Sequence, residues 1–298
     1  MGALAVEQAW GITEFGTWRL TSGAPDARLG RGVLGYRGYH VSMDRPQRRV
    51  EVPNGLVTMV VNFDAPVRVS RAGEAPTTAY TSLVNGLRTD AAVGEHDGRM
   101  HGVEVHLAPW AAFTLFGVPM YELRDRMVPL GELLGPRAQV LEAHLAGAPD
   151  WPRRFALLDA LLLERLAAGP AAAPQTVWAW GRLTASGGLV PVADLAHGTG
   201  WSPRHLEQRF KEQIGLSPKT AARVLRLQRA LRMLAAGSGA GATASACGFY
   251  DQAHLHRDFR RMTGFAPGEF LVHRGNGARP VDRLPGQVTS ALVRAPQR

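Results

Sequence analysis

The sequence predicts an α+β chain in two parts, a β-rich first part that also carries helices and an all-helical second part. Three observations lead there. From about Tyr36 to Pro109, short segments alternate apolar and polar residues between closely spaced turn signals. After Leu107 the apolar period changes to that of helices. From Val192 to Phe270 a helical pattern is written twice, because Leu206-x3-Phe210-x4-Gly215-x2-Pro218 returns as Leu255-x3-Phe259-x4-Gly264-x2-Pro267, displaced by 49 residues.

The first 35 residues are rich in glycine and small side chains, and only a strand around Gly16 to Leu20 is expected there. Tyr39–Met43, Val57–Phe63 (imperfectly) and Val103–Leu107 alternate as half-buried strands do. Pro53-Asn54-Gly55, between Val50-Glu51-Val52 and Leu56-Val57, reads as a hairpin turn. Asp64-Ala65-Pro66, Ala72-Gly73-Glu74 and Asn85-Gly86 punctuate the rest. Many short strands with regular turns point to a sandwich or small barrel. Helical pieces then follow at Pro109–Phe116, Met120–Arg126 and Leu130–Leu134. Asp150-Trp151-Pro152 opens a longer helix to about Ala168, whose wide apolar face (Phe155, Leu158, Leu162, Leu166, with Leu157 and Leu161) must pack within the domain or form a dimer interface.

Residues 169–174 read as an Ala/Pro-rich, semi-extended linker that leaves the domains mobile. The boundaries are therefore 1–168 for the first domain, 169–174 for the linker and 175–274 for the second domain, which opens with a helix over Val177–Ala185. Residues 275–298, rich in Gly, Pro and Arg, read as a disordered basic tail.

Each copy of the repeat begins with a tight turn into a capped helix. The turns are Gly200-Trp201-Ser202-Pro203 and Gly248-Phe249-Tyr250-Asp251; Ser202 and Asp251 suit the N-cap, and Pro203 the first helical position. With Val192, Leu195 and Ala196 on a short helix upstream, the unit is a helix-turn-helix. If Leu206 and Phe210 are buried, Arg204, His205, Gln208, Lys211 and Glu212 point outward. In the second copy the same argument leaves Ala253, His254, Arg257, Arg260 and Arg261 outside. Arg reads guanine, Gln reads adenine, and Lys or Arg neutralise phosphate, so both faces suit duplex DNA. Between the copies, Pro218 to Ala236 carries Val224, Leu227, Leu231 and Leu234 on one stripe among Arg223, Arg226, Arg229 and Arg232. As a helix it spans roughly 28 Å, near the ~34 Å between successive major grooves on one face of DNA.

These residues resemble the C-terminal domain of the AraC/XylS family of bacterial transcription regulators, two helix-turn-helix units joined by a linker helix. The resemblance is carried by Leu195-Ala196-x3-Gly200-x-Ser202-x3-Leu206-x2-Arg209-Phe210-Lys211-x3-Gly215-x2-Pro218, by Arg226-Leu227-x2-Ala230-x3-Leu234, and by Gly248-Phe249-x-Asp251-x3-Leu255-x-Arg257-x-Phe259-Arg260-Arg261-x2-Gly264-x2-Pro267. It implies base-reading roles near Arg204, Glu207 and Gln208, and near Gln252, His254 and Arg257. It also implies a cupin-like effector-sensing first domain, a homodimer on operator DNA, a small-molecule effector, and contact with RNA polymerase if the protein activates. One departure stands out. Where the family has bulky aliphatics, this chain reads Gly237-Ser238-Gly239-Ala240-Gly241-Ala242-Thr243-Ala244-Ser245-Ala246, with Ala240 and Thr243 in the places of Val192 and Leu195. A second unit with less rigidity and less affinity than the first is expected.

The charge follows the same division. Residues 1–174 hold 17 Arg against 18 Asp and Glu, whereas residues 175–275 hold 13 Lys and Arg against 6 acids, so the basic surplus lies where phosphate would bind. A single cysteine, Cys247, excludes an intramolecular disulfide and a zinc finger. No basic leader and no run of roughly 18 apolar residues is present, so a soluble cytoplasmic protein with no membrane partner is expected.

The first domain carries fewer signals. His96, His101 and His106 with Glu104 invite a metal reading, but in one strand His106 and Glu104 share a face that His101 does not. No metal and no cofactor is expected, and Glu104 with His106 is left as a candidate for an effector cavity. Tyr36, Tyr39, Met43 and Met59 read as pocket lining or core. No catalytic constellation stands out. The competing readings are a constitutive or architectural DNA binder without an effector, and a DNA-repair enzyme with an appended DNA-binding domain, for which Cys247 lies in the wrong half.

Overall fold

The computed structural model describes residues 6–71, 78–275 and 290–293. The expected turn at Ala72-Gly73-Glu74 and most of the tail lie outside the described residues. The first part is the expected β-rich domain with helices, and the second is all helical. Among the described residues, no helix is long and apolar enough to cross a membrane.

Strands β1 (Val6–Thr13), β2 (Gly16–Gly23), β3 (Val33–Met43), β4 (Gln47–Glu51), β5 (Val57–Asn62), β6 (Val67–Arg71), β7 (Thr78–Tyr80), β8 (Ser82–Asn85), β9 (Ala92–His96) and β10 (Arg99–Leu107) come first. Helix α1 (Pro109–Phe116) follows, then β11 (Met127–Pro129), α2 (Leu130–Leu134), α3 (Arg137–Gly147) and α4 (Trp151–Ala168). A seven-stranded sheet runs β1-β2-β3-β10-β5-β8-β11. A five-stranded sheet runs β12-β4-β9-β6-β7, where β12 is Ser290–Val293. The two layers form a sandwich with helices against one outer face.

Alternation in the seven-stranded sheet separates two very different surfaces. Tyr36, Met59, Val84, Val103 and Val105 face the helices, where Tyr36 stacks on Phe155 of α4 at 5.3 Å between centroids. These residues and Phe155, Leu158 and Leu162 belong to one buried apolar core. The wide face of α4 is thus used inside the domain, with Leu157 and Leu161 packed at its margin. The opposite face of the sheet carries Arg37, Glu104, His106, Thr58 and Asn85 toward the other sheet.

Four expectations are corrected. Pro53-Asn54-Gly55 is a corner between sheets and no hairpin, since β4 pairs with β9 whereas β5 pairs with β10 and β8. Asn54 Oδ1 accepts from the Leu56 amide at 2.9 Å and Gly55 takes φ 77°, so local turn chemistry is as expected but the strands leave for different layers. Met120–Arg126 is one 3-10 turn, Met120–Glu122, followed by Asp125 at φ 55°, which ends any helix before β11. The tail is ordered where Ser290–Val293 adds to the edge of β4, whose open row of backbone groups pairs with any short extended segment in reach. The linker is also held: Ala173 N donates to Gln213 Oε1 at 2.9 Å, and the Gly169 Cα approaches Thr114 O so closely that a Cβ would lie at 1.9 Å from it.

The second part contains α5 (Pro174–Ala185), α6 (Val192–Thr199), α7 (Pro203–Ile214), α8 (Pro218–Ala235), α9 (Ala240–Ala246), α10 (Gln252–Thr263) and α11 (Pro267–Gly275). Helix α8, about 27 Å long at 1.5 Å per residue, is its axis. It buries Val224, Leu227, Leu231 and Leu234 as read from the sequence, and also Leu225 and Gln228 on a face that meets the first domain. There Gln228 Nε2 donates to Pro53 O at 2.7 Å, and a Cβ on Gly55 would sit 3.3 Å from Leu225 Cδ2.

Candidate nucleic-acid interface and interior cavity

Both helix-turn-helix units form as the repeat requires. Helix α6 ends at Gly200 in the left-handed conformation (φ 68°), and Ser202 Oγ accepts the His205 amide at 3.2 Å to start α7. In the second unit Gly248 takes φ 68° and Asp251 Oδ1 accepts the His254 amide at 2.6 Å. Leu206, Phe210, Leu255 and Phe259 are fully buried, each burial contributing about 1.5–3 kcal/mol to holding the outer faces in place.

On α7 the side chains of Arg204, His205, Glu207, Gln208 and Lys211 are exposed on one side. Lys211 Nζ lies 2.7 Å from Glu207 Oε1 one turn back, and the half-buried Glu212 pairs with Arg209 at 2.7 Å, so Glu212 belongs to a helix-stabilising pair and not to the open face. Trp201 meets the His205 ring edge-on at 4.7 Å. On α10, Gln252, Ala253, Arg257, Arg260 and Arg261 are exposed, and His254 is half-buried. Its Nδ1 accepts from the Tyr250 amide at 3.4 Å and its ring packs edge-on against Phe249 at 5.4 Å, so His254 is tied into the turn. Asp258 gathers Arg261 at 3.2 Å and Arg223 of α8 at 3.5 Å, fastening α10 to the linker helix. That buttress was not legible in the sequence, and Tyr250, which read there only as part of the turn, is 94% exposed ahead of α10.

The two units are unequal in their packing. Where α6 buries Leu195 and Ala196, α9 buries Thr243 and Ala244. The Thr243 hydroxyl has no hydrogen-bond partner among the described residues. Ala244, Cys247, Phe249 and Leu255 form a small cluster with Ala230, apart from the main core that Leu195, Leu206 and Phe210 join.

The model of a helix-turn-helix domain family matches residues 195–272. The chain is 35% identical over 66 residues to YbfI, an uncharacterized HTH-type transcriptional regulator of Bacillus subtilis, spanning 22% of this chain and 24% of that protein, about a quarter of its length. Among solved structures, a probable AraC family transcriptional regulator from Rhodopseudomonas palustris aligns at 30% identity over 34% of this chain and 96% of that one, with a TM-score of 0.31. ToxT from Vibrio cholerae aligns at 10% identity over 76% of this chain and 96% of that one, with a TM-score of 0.42. The second part of the chain is an AraC-type helix-turn-helix domain.

Beside this AraC-type domain, the first domain holds a cavity of about 140 Å³ between its sheets, lined by Arg37, Thr58, Asn62, Asn85, Glu104 and His106 among others. A neighbouring cavity of about 360 Å³ shares Arg37 and Glu104 and adds Trp18, Tyr39, Met43 and His96. Of the four residues read as pocket or core, Tyr39 and Met43 line this second cavity and Tyr36 and Met59 are core. Arg37 is ion-paired with Glu104 across the strands. Burial pushes the Glu104 carboxyl up, but the charge and the hydrogen bond of the Arg37 guanidinium outweigh it and hold it below the usual range. Burial lowers His106 to about 4, so the ring is neutral at pH 7. Its Nε2 stands 3.6 Å from Glu104 Oε2, and neither ring nitrogen is hydrogen-bonded among the described residues.

The three histidines do not converge. His101 lies on the helix side against His40, Phe63 and Trp151, His96 sits in the other sheet with Nδ1 accepting from the Gly98 amide, and His106 faces inward. No group of three or more potential metal ligands occurs among the described residues. Arg37, Thr58 and Asn62 were not legible as cavity lining in the sequence, and Asn85 read only as part of a turn signal. The signal was the imperfect alternation of Val57–Phe63, in which Thr58 and Asn62 interrupt an apolar run on the inward face.

Proposed function

We propose that this chain is a sequence-specific DNA-binding regulator that binds operator DNA as a homodimer through both helix-turn-helix units and responds to a small molecule held in its first domain. The observation that carries the DNA reading is the pair of capped helices, α7 and α10, whose exposed faces present Arg204, His205, Glu207, Gln208 and Lys211, and Gln252, Arg257, Arg260 and Arg261 with the partly tethered His254. Arg204 and Gln208, then Gln252 and Arg257, are the base readers in this account, and Lys211, Arg260 and Arg261 bind phosphate. The effector reading is supported by the interior cavity with Glu104 and His106 on its wall. Pro53 and Asn54 line the same cavity while Pro53 O accepts from Gln228 of the linker helix. Association of two copies is supported by β1, which ends the order of the seven-stranded sheet and exposes Trp10 and Ile12.

Selection of bound sequences from random duplex DNA by the full-length protein, at stated salt, tests this. Two short motifs about one helical turn apart are expected. Binding without enrichment that vanishes as salt rises would replace the reading with that of an architectural binder.

A further inference from the structure

The helices cover only part of the outer face of the seven-stranded sheet. Past the N-terminal end of α4 the side chains of that face reach solvent: Trp10 is 71% exposed, and Arg19 and His40 are exposed. A groove of about 610 Å³ lies there. Its floor follows from register. Trp10 of β1 pairs with Arg19 of β2, Arg19 with His40 of β3, and His40 with His101 of β10, so four side chains stand in one row across four strands. At about 4.8 Å between neighbouring strands the row is roughly 14 Å long. Trp151 and Arg154 of α4 line the same groove. Strand alternation turns Arg37, Tyr39 and Glu104 the opposite way, so the sheet itself separates this groove from both interior cavities.

Arg154 is the unusual member. It is 9% exposed, and its Nε donates to Leu145 O at 2.8 Å. The guanidinium lies 4.9 Å from the Trp151 ring centroid and 5.3 Å from that of Phe63. Among the described residues neither Nη has a hydrogen-bond partner and no carboxylate pairs with it. Burial lowers this group against the pull of Asp150, but an arginine stays charged. A buried charge normally has a partner, and the neighbouring acids are used elsewhere. Asp150, the one acid in the groove lining, is exposed, and its Oδ1 accepts the Arg153 amide at 2.8 Å to cap α4. Asp64 stands 3.8 Å from His101 Nδ1. Burial and His40 lower the His101 imidazole, with Arg154 adding to them against Asp64, so this ring is neutral at pH 7.

The groove therefore offers one unmatched guanidinium edge, which fits one carboxylate in charge and in planar shape. A phosphate ester would bring a second negative charge into the field of Asp150. Trp10 and Trp151 supply flat apolar surface for a ring, and the volume falls within the ~300–1,000 Å³ of small-molecule sites. We propose that this outer groove is a binding site for a planar aromatic compound with a single carboxylate, held by the Nη edge of Arg154 with its ring against Trp10 and Trp151. The site is separate from the interior cavity and does not depend on the effector reading. It adjoins β1, the edge assigned above to association of two copies.

The test is isothermal titration calorimetry of the full-length protein at pH 7 with naphthoate, naphthamide, naphthyl phosphate and acetate, with molecular mass followed by light scattering. Naphthoate should bind, and each of the other three should bind at least about ten-fold more weakly. Arg154→Gln, which keeps an amide donor, should weaken naphthoate about ten- to a hundred-fold, and Trp10→Ala about three- to ten-fold. Trp10 is exposed, so its variant decides the matter even if Arg154→Gln does not fold; an unchanged affinity in either folded variant overturns the site. Naphthamide or naphthyl phosphate binding as tightly as naphthoate overturns the ligand class. No binding of naphthoate overturns the proposal, and a fall in mass on Trp10→Ala would then give the groove to a second copy of the chain.

Discussion

Replacing Gly241 by alanine should stabilise the second helix-turn-helix, and the structure says by how much. Gly241 is exposed within α9, and a Cβ built on it meets nothing within 4 Å. Its backbone is outside the left-handed region, since it is absent from the positive-φ glycines of the described residues. Alanine therefore adds no clash and removes chain entropy from the unfolded state, worth about 0.5–1 kcal/mol. At 1.4 kcal/mol per decade, local opening of α9 should fall about two- to five-fold. Amide hydrogen exchange on α9 and α10 reads this directly, and α6 and α7 serve as the internal control. Gly248→Ala is the opposite case. Gly248 takes φ 68°, and its Cβ would lie 2.9 Å from Leu189 Cδ2, so the same change should lose about 1 kcal/mol or more. Unchanged or faster exchange in Gly241→Ala would refute the argument that missing side chains and glycine entropy, and not the turn, weaken this unit.

The same asymmetry predicts that Arg204→Ala weakens operator binding by about 1–3 kcal/mol and Arg257→Ala by less; equal or reversed losses in a quantitative binding assay would sink it. Acid should destabilise the first domain. His106 sits near 4 when folded against 6.5 when free, so its contribution is fully present above pH 6.5 and is lost as pH falls toward about 4. That is on the order of 3 kcal/mol, and denaturant titrations from pH 7 to 4 should show a clearly flatter profile in His106→Leu. Gln228→Ala should cost about 1–3 kcal/mol of stability by leaving the buried Pro53 carbonyl without this donor. It should also leave ligand-induced stabilisation intact while shrinking the ligand's effect on operator affinity; an undiminished effect would remove Gln228 from the coupling. Deleting residues 290–298 should lower the melting temperature and open the edge of β4 to pairing between molecules, which light scattering would detect.

The legibility of this chain follows from how local its signals are. Caps, αL glycines and the Leu/Phe spacing of α7 and α10 act within a few residues of each other, and the structure places them as the repeat required. The Asp258–Arg223 pair was hidden because it joins residues on separate helices with no shared periodicity. The Pro53-Asn54-Gly55 corner has the turn chemistry of a hairpin, and only the destinations of β4 and β5 distinguish the two. Those are fixed by partners much later in the chain: Val50 pairs with Val93 and Val57 with Leu107. Helix α3 escaped because its apolar residues, Ala138, Leu141 and Leu145, make a narrow stripe in an otherwise mixed segment. Four residues of the tail paired with a distant edge, which composition averaged over the whole segment cannot register.

Under the proposed function, the corner is where sensing and DNA binding meet. Pro53 and Asn54 form part of the cavity wall on one side, and on the other Pro53 O holds Gln228 while Gly55 abuts Leu225 and Trp180. Leu225 and Gln228 lie on α8, which carries Arg223 on another face, and Arg223 reaches Asp258 of α10. The path from cavity wall to second recognition helix thus crosses three packed contacts and no mobile linker. A ligand that favoured one position of the corner by 1–3 kcal/mol, the usual scale of coupling between sites, would bias α8 by at most that amount, and DNA binding would bias ligand affinity equally. The weakly packed α9 makes α10 the element most able to respond, because α7 is anchored on the first domain at its C-terminal end, where a Cβ on Gly215 would lie 2.9 Å from Met120 O. Regulation in this chain would then act mainly through the second half-site, with the first fixed as the point of attachment.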